Sequence, residues 1–444
     1  MRAQEITLSN GLKVVYLHHP AVTTINMQLD VAAGAMHDPE GKVGLAHALE
    51  HCVLMQTENL RDNDLQIELK KIGGDVNAFT SESKTAFPLK ARAENDNFTT
   101  LADILRQIVA EPCFDDTRIQ QELKVIDNEY HDDLDNENRE LLIKSMNAQK
   151  RQTVFSGRIL GTPKDFMALA PSDFMNFIHQ HYRAQTMRLY IVAPYELKNV
   201  EDILEGTLGQ IPEGGRIFSI PENIYGESVD TRIQNDTKHQ NQYRLFFTLP
   251  TPQDSKSLVI ARSARDIIGE TLVWGLRHQT GCTYNSEFQG MDLTSKEMLV
   301  SLKITTRPHQ TNDFIASLLR YASEIDNIPN PEIQATIDNA IHALNSYNQA
   351  LDFDCSGLIF CDQTRGETMD LYQEKRDVQE ISHQDIREKM KEILSSLSGI
   401  YATGPQPELL PSLEILQTQL KKAAGFDQEK EPTPQTILPY QPRM

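Results

Sequence analysis

The spacing of apolar positions changes several times along the chain, and each change marks an element. Residues 5–8 and 12–16 read as strands parted by Asn10-Gly11, and 24–31 alternates, imperfectly, as a third. An apolar frame over 43–55 predicts a helix, with further helices over 63–71, 95–110, 115–149 and 171–181. The helix at 115–149 is long and polar, with Ile119, Leu123, Ile126, Tyr130, Leu134 and Leu141 as its apolar stripe. Short strands are expected around Asn77 and over 187–193.

The second half repeats this order. A strand at 243–249 precedes a helix at 255–276. Strands near Tyr284 and over 298–305 then lead into helices at 309–324, 331–351 and 383–396. Proline and glycine cluster between the halves, from Ile211-Pro212-Glu213-Gly214-Gly215 to Pro221 and Gly226. With 444 residues the chain is too long for one ordinary core. The pattern predicts an α+β protein with a domain at 1–210, a linker at 211–230, a second domain at 231–426 and an extended tail at 427–444. Two similar halves fit an internal duplication.

Candidate chemistry concentrates in the first of these helices. His47-Ala48-Leu49-Glu50-His51 places two imidazoles one turn apart on a helix face, close enough to share one zinc ion. Glu50 points near that face and can serve as a base toward water activated by the metal. This is the H-x-x-E-H arrangement, the reverse of the commoner zinc-protease pattern. A catalytic zinc takes a third protein ligand, a carboxylate or histidine from another element. Glu122 and Glu129 share a face of the long helix, but spacing alone does not choose among its many acids.

These residues resemble the pitrilysin/insulinase metallopeptidases, in a short two-domain form similar to bacterial peptidases of the mitochondrial processing peptidase beta type. The stretch Glu122-Leu123-Lys124-Val125-Ile126-Asp127-Asn128-Glu129 is similar to that family's E-x-x-x-V-x-x-E. The resemblance makes Glu129 the third ligand and Glu122 a supporting acid. Gly73-Gly74-Asp75-Val76-Asn77-Ala78-Phe79-Thr80 looks like the strand on which the family holds an extended peptide, which points to Asn77, Ala78 and Phe79 as substrate contacts. Leu276-Arg277 with Tyr284 is similar to the family's L-R-x-x-x-x-x-x-Y, whose arginine and tyrosine reach substrate backbone and developing negative charge from the opposite domain. Ala48 and Phe87 depart from residues common in relatives.

The resemblance implies two homologous domains, each a mostly antiparallel sheet packed with helices. It also implies one zinc per chain and hydrolysis of peptides or unfolded segments, with Glu50, Arg277 and Tyr284 as catalytic groups. Processing of one dedicated precursor peptide is a narrower expectation, and a non-catalytic subunit of a two-chain complex is the rival. Four such domains make a working chamber in the family, so a homodimer is expected, or a heterodimer with a related subunit.

A net charge of −20 argues against nucleic acid and favours cationic peptides. No apolar run reaches the length of a membrane span. The five cysteines form no C-x-x-C pair, and Cys52 reads as packing. With strand-like sequence close behind Met1, a cytoplasmic location is expected.

Overall fold

The computed structural model describes residues 1–61, 63–94, 96–135, 159–216, 229–283, 285–293, 297–347 and 353–426. The first half builds a mixed sheet of seven strands. These are β1 (Gln4–Thr7), β2 (Lys13–His18), β3 (Thr24–Val31), β4 (Asp75–Val76), β5 (Phe79–Thr80), β6 (Thr85–Arg92) and β7 (Met187–Ala193). Their order is β1-β2-β7-β3-β6, with β4 and β5 both paired to β6 at one edge. The pairs are antiparallel except β2 with β7, which runs parallel. On one face pack helices α1 (Leu45–Val53), α2 (Asp64–Lys71), α3 (Asn97–Ala110), α4 (Asp116–Asp135) and α5 (Pro171–His181) around a shared core.

The second half has a five-stranded sheet ordered β10-β11-β9-β12-β8. Its strands are β8 (Val229–Gln234), β9 (Asn241–Pro250), β10 (Asn285–Leu293), β11 (Glu297–Thr306) and β12 (Leu397–Gly404). Again one pair is parallel, β12 with β8. Matching the two orders aligns β9 with β3, β11 with β6, β12 with β7 and β8 with β2. The helices then correspond in turn: α6 (Ser255–Trp274) to α1, α7 (Thr311–Ser323) to α3 and α8 (Asn330–Tyr347) to α4. The α+β duplication expected from the pattern is therefore the architecture observed.

Local chemistry explains the element ends. Pro171 opens α5, and the Asp173 carboxylate accepts the Ala170 amide at 2.9 Å. The expected linker is described only in part, and both its residues 217–228 and the tail 427–444 lie outside the described residues. So do Leu141 and Tyr284.

Several elements went unforeseen, among them strands β6, β8 and β12 and the short helices Pro163–Phe166, Glu201–Gly206 and Ser356–Phe360. Strand β12 is buried along most of its length, so it shows no alternation to mark it. Also unforeseen are helices α9 (Leu371–Gln379) and, after α10 (His383–Ser395), α11 (Leu413–Ala423).

The segment 353–378 joins the halves. Phe353, Cys355, Leu358, Cys361 and Leu371 share a core with Val15, Leu17, Tyr190 and Val192 on the sheet face away from α1. Beside it lies a polar network. Arg188 donates to Asp362, with Nε to Oδ2 at 2.9 Å, and also to Glu5 at 2.8 Å. The Tyr190 hydroxyl donates to Asp362 at 2.6 Å. Lys84 reaches Asp30 at 2.6 Å and Gln363 at 2.9 Å, and Asp30 has no exposed surface.

Candidate metal centre

Helix α1 is anchored before it begins. The Asp38 carboxylate accepts the backbone amides of Gly44, at 2.7 Å, and Ala46, at 2.8 Å. Burial pushes this carboxyl up to about 6, against the pull of those same amides. Gly44 has φ 92, and a Cβ there would sit 2.5 Å from the Leu160 carbonyl oxygen. At Gly161 a Cβ would sit 2.1 Å from the oxygen of Val43, so two backbones touch where only glycine fits. Asp38→Ala should cost about 0.5–2 kcal/mol, the usual worth of a lost helix cap. Urea unfolding would measure it, and an unchanged midpoint would show that Asp38 is not holding the helix.

Leu45, Ala46, Ala48, Leu49, Cys52 and Val53 bury the core side of α1, which leaves His47, Glu50 and His51 facing α4. On α4, Ile119, Leu123 and Ile126 fill the same core and turn Glu122 and Glu129 toward α1. Glu129 Oε2 lies 3.7 Å from His47 Nε2 and 3.6 Å from His51 Nε2. One ligand atom from each of these three residues falls within 4.8 Å of the other two. Glu122 Oε2 stands 3.5 Å from the other ring nitrogen of His51, Nδ1, where it can orient the imidazole.

The donor set fits zinc. Two imidazoles and a carboxylate are the ligands of a catalytic site, and the nitrogen–oxygen separations lie beyond hydrogen-bond length. They approach the edge, roughly 3.3–3.4 Å, of a tetrahedron with bonds of about 2.0–2.1 Å. His47 is buried, His51 half-buried and Glu129 exposed, so the group opens to solvent on one side. The electrostatics also call for positive charge. Burial disfavours protonation of His51, but Glu129, Glu50 and Glu122 together outweigh it and raise its pKa.

Glu50 is 9% exposed. Burial raises its carboxyl above the ordinary range and Glu129 adds to that, while Thr80 and His51 oppose. Thr80 belongs to β5, so the edge of the sheet stands directly beside Glu50. Asn77 is exposed, Ala78 buried and the Phe79 ring 44% exposed. Among the described residues β4 and β5 pair only with β6, which leaves their outer edge open to an extended chain.

The structure thus brings together His47, Glu50, His51, Glu122, Glu129 and the Asn77–Phe79 edge. Arg277 lies outside this cluster, exposed on a π turn, Gly275–Gln279, that ends α6. Cys52 is buried in the core beneath α1, its thiol pushed up to about 12 by burial and Glu122.

Asp38 and Tyr182 escaped notice in the sequence, and Thr80 was read only as the end of the substrate strand. Tyr182 is buried against Phe87, its phenol raised by burial and by the charge of Glu50. Asp38 does precede the glycine that opens the motif helix, a capping signal that could have been read.

Comparison with known proteins agrees with this geometry. Residues 13–164 match the family described as insulinase (peptidase family M16), and residues 168–339 match its peptidase M16 inactive domain. An uncharacterized zinc protease of Rickettsia bellii is 28% identical over 222 residues, 50% of this chain and 53% of that protein. A probable mitochondrial-processing peptidase subunit beta of Arabidopsis thaliana is 29% identical over 45% of this chain and 36% of its own length. A solved peptidase M16 inactive domain from Pseudomonas fluorescens superposes with a TM-score of 0.76 at 16% identity, covering 91% of this chain and 98% of that one. In fold, this is a duplicated α+β protein with a His-His-Glu group between two helices of its first half. The chain belongs to the insulinase family, peptidase family M16. It spans about half the length of the first curated relatives it matches.

Proposed function

We propose that the chain is a zinc-dependent endopeptidase acting on peptides or unfolded segments. The observation that carries this reading is the convergence of His47, His51 and Glu129 beside a buried Glu50. Those three residues would hold the zinc, which when bound supplies a Lewis acid that acidifies water and polarises a carbonyl. Glu50 takes a proton from the attacking water and returns it to the leaving amine nitrogen. The open edge at Asn77, Ala78 and Phe79 pairs with the backbone of an extended substrate and sets the register of the cut.

Arg277 and Tyr284 would meet the substrate from the second half of a facing chain and steady developing negative charge. Because one chain carries both the metal group and this pair, a homodimer can complete its own sites, and a heterodimer with a related subunit could do the same.

Purified protein should hold one zinc per chain. Chelation should abolish cleavage of an unfolded peptide, and added zinc should restore it. A zinc-free chain that cuts at full rate would sink the proposal. Sedimentation should find a dimer, and efficient cleavage by a monomer would contradict that assembly.

A further inference from the structure

A cavity of about 620 Å³ opens in the second half between the end of α6, α7 and the start of α8. These helices correspond in chain order to α1, α3 and α4 of the first half, of which α1 and α4 carry the metal group. Among the described residues this cleft holds no His-His-Glu group of that kind. Leu276 and Tyr321 line it, and the Tyr321 hydroxyl is engaged with Thr271. Its size is that of a pocket for a side chain or a small ligand.

The rim is acidic and aromatic. Glu270, Glu324 and Glu332 line it against a single guanidinium, Arg320, and among the described residues no ion pair neutralises the three carboxylates. Trp274 is 56% exposed at the same rim, one residue before the helix passes into its π turn. The His278 ring leans against the indole at 34°, with ring centres 5.4 Å apart.

We propose that this cavity binds a basic stretch of the peptide substrate, with an arginine or lysine stem over Trp274 and its charged head among Glu270, Glu324 and Glu332. An apolar floor, an exposed indole and a carboxylate rim match a cation carried on an apolar stem. A second copy of the chain fits poorly, since its net charge of −20 would meet an acidic rim. The site would hold a substrate beside the turn that carries Arg277 and favour peptides long enough to fill both the cavity and a metal group's cleft. The identity of the occupant rests on the peptidase reading, whereas binding is measured without cleavage.

Trp274 is the one tryptophan of the chain, so its fluorescence reports on this cavity directly. Titrating the full chain with an uncleavable D-peptide of alternating arginine and leucine should give a saturable change. The triple variant E270Q/E324Q/E332Q should weaken it about tenfold or more, and R320Q should tighten it severalfold. These side chains are exposed, and the gain expected of R320Q guards against a variant that merely misfolds. An equal response to a peptide with glutamate for arginine would overturn the proposal, as would full competition by free spermine or indifference to the variants. A chain that binds the probe yet cuts no peptide supports the cavity and counts against the peptidase reading instead. Cleavage without any Trp274 response overturns the cavity alone.

Discussion

Replacing Glu50 by glutamine should leave one zinc per chain in place and lower kcat/KM by about 10²–10⁴-fold, the span usual for a lost general base. Glutamine keeps the shape of a side chain that is 9% exposed, so the packing of α1 is preserved. Its amide oxygen can still face the donors of Thr80, but it has no basic oxygen to take a proton. The ligands His47, His51 and Glu129 are untouched, which is why metal content and rate should separate. Elemental analysis and steady-state kinetics on one preparation test this. A variant that keeps more than about a tenth of the rate would remove Glu50 from the proton path. One that loses its zinc would make Glu50 a support of the metal group instead.

Asp362→Ala should destabilise the protein by about 3–5 kcal/mol, because it strips the main partner from a buried guanidinium. The Arg188 and Asp362 side chains are 11% and 12% exposed, and Asp362 also accepts from the Tyr190 hydroxyl. Among the described residues Glu5, on an edge strand, would be the one acid left to balance Arg188. Urea unfolding gives the number. The double variant R188M/D362L should lose much less than the single one, since no buried charge is then left alone. A loss for Asp362→Ala near that of an exposed pair, about 0–1 kcal/mol, would show that solvent reaches the network.

The metal centre was legible because its chemistry is local. Two histidines and a glutamate on one helical turn announce themselves, and apolar flanks predict which face they share. Helix α5 was read to the residue, since Pro171 and the following apolar period fix its start. Glu129 was harder, as any acid of a polar helix has the same spacing argument, and family resemblance supplied the choice. The join between the halves could not be seen at all. Asp362 meets Arg188 and Gln363 meets Asp30 across long stretches of chain, so no periodicity near 353–365 marks them. Tyr182 acquires meaning only once the fold sets it near Glu50, and Thr80 gains a second role there.

The parallel pairing of β2 with β7 has a kinetic consequence. Strand β7 lies between β2 and β3, yet the chain reaches it only after helices α1 to α5. The sheet under α1 and α4 therefore cannot close until nearly the whole half has left the ribosome, and its other face waits longer still for segment 353–378. Pairings so distant in sequence make assembly slow and leave strand edges open in the meantime. A nascent or truncated first half should thus depend on chaperones, and its two histidines should gain their glutamate partner late, when the last central strand slides into place.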